Sequence, residues 1–539
     1  MRTFTARTRT GRWRWTAAAS GLLLLLGACA PVDDGTPEDA ADDDAADDPA
    51  EEEDVDPDEL DEDRPFRYAY TLGPTRFDPH RATSSFDAVS LFPTYDRLIH
   101  LTPDAEFEPG LAEDWDFDED GTRLELQLRE DVTFHDGEPF DAEAVAANLE
   151  RALTLEDSAV AGELAPIEDI EVVDDHEVVL HLAEPHAAML GILSDRAGMM
   201  VSPEAFDNED LDQQPVGAGM YEVVEYRPDD VIVFEPADDY WDSDAVHPGG
   251  MELYIMEDDT TRLNAIRTDE LDATFVASAY IEEAEQLPDI DVEVGSSLAF
   301  LHLQLNRERS EFDDPQVRQA INYAIDRQAI VDGVHFGYPE PAVQPFPEEY
   351  WAHNPDVSVD DYAHDPDRAR ELLEEAGLED GFSFEMLLPT VPDHVQVGEV
   401  LQNQLAEVGI DVEPRSVEPA QVSDIFYAQQ ESDAMLATWG GRPDPSMTIG
   451  LLYTEGFANP GGHTTETVVD LHRQALATAD QGEREEAFDA LAEEIVLEEA
   501  MGSILYFSTT GGLTRDDVVG VQPWLSGKPE FRGAGVLRE

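Results

Sequence analysis

A chain of 539 residues is too long for one compact core and predicts two or more domains. Its 31 Lys and Arg stand against 123 Asp and Glu, a formal net charge of −92, which excludes the basic footprint that nucleic-acid binding needs. An apolar share of 42% and tryptophans spread from Trp115 to Trp524 predict a folded chain with a large core despite that charge. Lys528 is the only lysine, and this acid-rich, lysine-poor composition is the kind that works in concentrated salt, where screening tames self-repulsion. A high-GC genome with an acidic bias is the alternative origin. Cys29 is the only cysteine, so neither an intrachain disulfide nor a Cys-based metal site can form.

The N-terminus reads as an address. Arg2, Arg7, Arg9, Arg12 and Arg14 form a basic stretch without an acid, followed by the apolar run from Thr16 to Leu26. That run is shorter than the ~18 residues a membrane span needs. It ends in Leu26-Gly27-Ala28-Cys29, which resembles the bacterial lipobox. The resemblance implies a signal peptide over 1–28, cleavage before Cys29, and lipidation of its thiol. A plain secretory signal with a chance cysteine is the alternative. Residues 29–64 are expected to be a disordered acidic tether: Ala30 to Asp63 holds 19 acids and no base, so it self-repels and cannot bury a core.

From Arg67 onward strands and helices alternate. Strands are expected over Arg67 to Leu72, Thr122 to Leu128, two within Glu171 to Leu182 around the turn Asp174-Asp175, and one over Asp230 to Glu235. A helix is expected over Asp141 to Leu153. Asp314 caps a helix opened by Pro315, with Val317, Ala320, Ile321 and Ala324 at helical spacing. Asp365-Pro366 opens another, with Ala369, Leu372, Leu373 and Ala376 inward and Gly377 as its stop. A third ends at Val408-Gly409 and leads into a strand from Ile410. A long helix through Ala487, Leu491 and Ile495 precedes an apolar strand, Ile504 to Phe507. The helix–Gly–strand order predicts α/β layering.

Four motifs in order carry a family resemblance. The first is Leu111-Ala112-Glu113-Asp114-Trp115, then Asp120-Gly121 and Leu128-Arg129. The second runs from Val132-Thr133-Phe134-His135-Asp136-Gly137 through Glu138-Pro139-Phe140-Asp141-Ala142 to Val145. The third is Pro215-Val216-Gly217-Ala218-Gly219-Met220-Tyr221. The fourth is Phe312-Asp313-Asp314-Pro315-Gln316-Val317-Arg318-Gln319-Ala320, continued by Asn322 to Arg327. From about Phe66 to the C-terminus the chain resembles the family 5 solute-binding proteins of ABC importers, which bind dipeptides, oligopeptides or nickel. The resemblance implies an α/β, two-lobed periplasmic-binding-protein fold of the large type II class, with an extra subdomain inserted in lobe 1. Lobe 1 is expected over 65–299, lobe 2 over 300–507, and a C-terminal return to lobe 1 over 508–539. The implied function is capture of a small polar solute, peptide-like or carboxylate-bearing, between the lobes, and its delivery to ABC permease transmembrane subunits. The protein is expected to be extracytoplasmic, anchored at the membrane through Cys29, and monomeric. A receptor that signals instead of feeding a permease is the alternative, and a surface-anchored hydrolase the more distant one.

Peptide binders of this family hold the ligand ammonium with an Asp three residues after a Trp. Here that segment is Trp439-Gly440-Gly441-Arg442-Pro443-Asp444-Pro445, so Arg442 stands in the Asp position and the segment is one residue shorter. The departure implies poor dipeptide binding. It makes Arg442 a candidate fork for a carboxylate or phosphate, with an ion pair to one of the many acids as the alternative. Trp439 is a candidate wall, with a core position as the alternative, Gly441 belongs to the same turn, and Asp444 is either a ligand group or a shaper of the loop. Thr71 and Gly73, after the first strand, are expected to line the cleft from the other lobe. Nothing calls for a cofactor, a metal or a catalytic residue. Asp116-Phe117-Asp118-Glu119-Asp120-Gly121 imitates a calcium loop, but Gln127 stands where a bidentate Glu is required. His176 and His181 are five apart, the wrong spacing for a shared zinc. His135 reads as a structural histidine in a turn.

Overall fold

The computed structural model describes residues 59–208, 210–454 and 456–538. The chain divides into two units, Met1–Asp54 and Val55–Glu539, and every described residue belongs to the second. The signal peptide, Cys29 and most of the expected tether lie outside the described residues.

Lobe 1 is built on a seven-stranded sheet in the order Ile290–Gly295, Thr510–Arg515, Ala273–Ala277, Phe66–Tyr70, Met251–Ile255, Val231–Pro236, Tyr221–Arg227. Its middle is parallel, with Phe66–Tyr70 beside Met251–Ile255 and Ala273–Ala277, and its outer pairs are antiparallel. An antiparallel four-stranded sheet, Ala112–Phe117, Arg123–Leu128, Glu177–Leu182, Ile167–Asp174, makes the inserted subdomain. Helix Ala142–Thr154 covers it: Asp141 caps the helix by accepting from the Ala144 amide at 2.9 Å, and Val145, Leu149 and Ala152 are buried. Lobe 2 has a five-stranded sheet in the order Ile410–Val417, Phe382–Pro389, Ala434–Trp439, Phe300–Leu305, Ser503–Phe507. Phe300–Leu305 is buried at every residue, as a strand covered on both faces must be.

Local sequence signals explain the helices. Asp314 accepts from the Gln316 amide at 2.9 Å ahead of helix Pro315–Ala324, and Asp365 does the same for Arg368 at 2.9 Å ahead of Pro366–Glu375. Each such cap is worth about 0.5–2 kcal/mol. Gly377 at φ 77° stops the second of these helices. The expected long helix near the end is Gln481–Ala492, after which the chain widens into a π-helical turn, Glu493–Glu498.

One expectation needs correction. The end of the tether is part of the fold: Leu60 is buried, the Asp61 amide donates to the Val536 carbonyl at 2.8 Å, and Arg64 pairs with buried Asp272.

The chain passes from the larger sheet to the smaller between Gly295 and Phe300 and returns between Phe507 and Thr510. The cleft lies beside these crossings.

Candidate ligand-binding cleft

A cavity of about 290 Å³ opens where the lobes meet. Its lobe 1 wall is one face of the large sheet: the register sets Phe275 and Glu293 on either side of Gly512, with Tyr70 against Phe275 at 5.5 Å between ring centroids. Gly512 has no side chain to fill the row, and the space remains open. The Glu293 carboxyl is pushed above its ordinary range by burial, and it forms no ion pair among the described residues. Thr71, Leu72 and Phe86 extend this wall, and Val521 to Trp524 and Ser526 to Pro529 of the returning C-terminal segment close one side. Lobe 2 contributes Ala299, Thr438, Gly440 and Gly441. Gly441 is sterically required: a Cβ there would stand 2.7 Å from the Leu298 Cβ.

A second cavity, of about 420 Å³, lies between the inserted subdomain and lobe 2. Ile192, Met447, Leu451 and Phe457 make it largely apolar, and Arg442, Glu163, His186, His472 and Ser446 are its polar side chains. Burial holds both histidines below their ordinary range, favouring neutral rings.

The candidate residues are therefore distributed over different places. Thr71 and Gly441 line the first cavity. Gly73 does not line it, and a Cβ there would touch Ile255 at 3.6 Å. Trp439 lines neither cavity: it packs in the lobe 2 core and its Nε1 donates to Thr448 Oγ1 at 3.2 Å. The reason is alternation along the strand: Trp439, paired with Phe300 at the end of the ladder, faces the core with it. Its neighbours Thr438 and Gly440 form the wall instead. Arg442 lies 5.5 Å from the Trp439 ring centroid and reaches Glu163 with Nη1 at 3.4 Å.

Asp444 shapes the loop. Its carboxylate caps helix Pro445–Leu452 through the Ser446 amide at 2.9 Å and takes Arg484 at 2.7 and 2.8 Å, wholly buried. Fully buried and paired with Arg484, this carboxylate is closed to a ligand ammonium. Across the cleft, a Cβ on Gly191 would stand 2.7 Å from the Asp444 Cβ, so the subdomain closes on this loop only because residue 191 is glycine. The Ala187 amide also donates to the Leu476 carbonyl at 3.0 Å, tying the same two bodies together.

The sequence reading missed the charges behind the cleft. Lys528 pairs with Asp195, and both are buried. Buried Arg196 donates to the Ala82 carbonyl, and its Nε has no partner. Asp195, Arg196, Lys528 and Arg442 all act on the ionisation of Glu163. Three cations and two carboxylates thus gather in a chain of net charge −92. The visible signal was Lys528, a lone lysine in an otherwise lysine-free chain.

The look-alike motifs have local roles. Asp118 accepts from the Thr122 and Arg123 amides at 2.9 and 3.1 Å, making the loop a hairpin turn. His176 sits in the turn before strand Glu177–Leu182, not on the strand, and His181 pairs with Glu171 at 2.9 Å. His135 contacts the Gly219 carbonyl at 2.9 Å, fastening the second motif to the third. Among the described residues no group of three or more His, Cys, Asp or Glu is placed to hold a metal ion. No described helix is long and apolar enough to cross a membrane.

Two α/β lobes around a cleft with ligand-sized cavities define a bilobal solute-binding protein. The family model of the bacterial extracellular solute-binding proteins, family 5 Middle, matches residues 106–459, and the chain belongs to that family. It is a family of binding proteins, not of enzymes. The glutathione-binding protein GsiB of Salmonella paratyphi A is 32% identical over 356 residues, 64% of this chain and 68% of that one. The dipeptide-binding protein of Escherichia coli K12 is 27% identical over 503 residues, 86% and 93% of the two chains. Among solved structures, the dipeptide binding protein of Pseudoalteromonas sp. SM9913 in complex with Met-Leu superposes with a TM-score of 0.75 at 27% identity, covering 88% of this chain and 100% of that one.

Proposed function

We propose that the chain is the solute-capturing lipoprotein of an ABC importer, held at the outer face of the membrane by lipid on Cys29, and that it delivers a peptide-like, carboxylate-bearing solute to the permease transmembrane subunits. It acts as a monomer without a cofactor. The relatives' names, glutathione-binding and dipeptide-binding, support the ligand class. The observation that carries the choice of an anion is Arg442: a guanidinium lining a largely apolar cavity beside the Trp439 ring, with Glu163 at 3.4 Å as its one ion-pair partner among the described residues and further donors uncommitted. Glutathione, with two carboxylates, suits such a site better than a plain dipeptide.

Mass spectrometry of solute released from freshly purified protein tests the ligand class. A carboxylate-bearing, peptide-like compound is expected; a cationic or carboxylate-free one would overturn it. Cys29→Ser is expected to move the protein from the membrane fraction to the soluble fraction. Membrane retention with normal signal processing would remove the lipid anchor from this reading.

A further inference from the structure

Glu163 and Arg442 belong to different parts of the molecule. Glu163 lies on the short helix Ala161–Leu164 of the inserted subdomain; Arg442 follows strand Ala434–Trp439 of lobe 2. Their contact, at 3.4 Å through one nitrogen, faces the second cavity. We propose that Glu163 is a resident stand-in for the solute's anionic group: it occupies Arg442 until an incoming carboxylate displaces it, so that it competes with anions for that cation and couples their binding to proton uptake. This rests on the reading of Arg442 as the anion-holding residue.

The surroundings determine the sign. Burial pushes the Glu163 carboxyl above its ordinary range, and Arg442 is the leading influence holding it down. Once a ligand carboxylate takes Arg442, that support goes and the protonated form of Glu163 is favoured. Anion affinity therefore rises as pH falls, until the ligand's own carboxylate begins to protonate. The other charged groups bearing on Glu163 are Asp195, Arg196 and Lys528. His186 and His472 line the same cavity, and protonating either at low pH would also favour an anion. Replacing Glu163 leaves that histidine contribution in place and removes only its own.

The test is calorimetry on wild type and Glu163→Gln with glutathione, N-acetyl-leucine and the neutral N-acetyl-leucinamide at pH 7.5 and 5.5. Glu163→Gln is expected to bind at least one of the two anions about tenfold more tightly than wild type at pH 7.5. The gap should narrow to about threefold or less at pH 5.5, and the amide should show no such gain. Equal or weaker anion binding by Glu163→Gln would overturn the proposal and make Glu163 a simple latch. Absence of anion binding by both proteins would overturn it too. In either case the solute that co-purifies with wild type reports separately on whether the anion-binding reading stands.

Discussion

The outer faces of this molecule and the walls of its cleft carry charge in different ways. Outside, ion pairs such as Arg473–Asp470 lie in water with both side chains 64% exposed. Such pairs contribute about 0–1 kcal/mol and weaken further in salt. In the cleft, Arg484–Asp444 and Lys528–Asp195 are buried, and Arg442–Glu163 is mostly so. There each charge has lost its water, and removing one partner strands the other. The outer surface is set by the number of acids and responds to ionic strength as a whole; the cleft is set by a few specific partners.

The largest expected effect breaks the cleft side of this comparison. Arg484→Met leaves the Asp444 carboxylate buried with only a Ser446 amide beside it, and should cost on the order of 3–5 kcal/mol of stability in denaturant unfolding. A loss under about 1 kcal/mol would mean that the buried pair behaves like a surface one. Next is Arg442→Ala, expected to weaken binding of the co-purifying solute at least about 30-fold, roughly 2 kcal/mol, by calorimetry. Unmodified dipeptides should bind poorly to the wild type. Micromolar dipeptide binding that survives Arg442→Ala would move the ligand away from this residue.

The outer surface gives a smaller effect per interaction but a collective one. Without 1–28 and the 19 acids of Ala30 to Asp63, the remainder carries 26 bases and 104 acids, a net of −78. At roughly 1 M salt the Debye length is about 3 Å, so the melting temperature should rise by several degrees between low and molar salt. A flat melting temperature would remove salt adaptation as the explanation of the composition. Salt also sharpens the comparison: the Arg484→Met deficit should persist in molar salt, because buried pairs are screened little.

Much of the scaffold was legible because its signals are local. Asp141, Asp314 and Asp365 cap the helices that follow them, and Pro315 and Pro366 open two of those helices. Gly377 and Gly409 take positive φ where helices were expected to stop. The site was legible by segment and not by side chain. The turn from Trp439 to Asp444 does reach the cleft, but Trp439 faces the core and Asp444 is consumed by Arg484. The face of the strand that meets the core and a partner 40 residues away decide those two outcomes, and neither leaves a mark in the local pattern.

By itself, then, the sequence determined the charge, the order of strands and helices and the four motifs that mark the family, because these depend on composition, capping chemistry and short-range spacing. Tertiary structure alone decided which polar groups meet in the cleft. Glu163 and Arg442 stand 279 residues apart in the chain, and Asp195 and Lys528 stand 333 apart. Such pairs exist only once the C-terminal segment has returned to lobe 1 and the inserted subdomain has come against lobe 2. Burial then turns an ordinary Glu or Lys into a group whose ionisation depends on its partner.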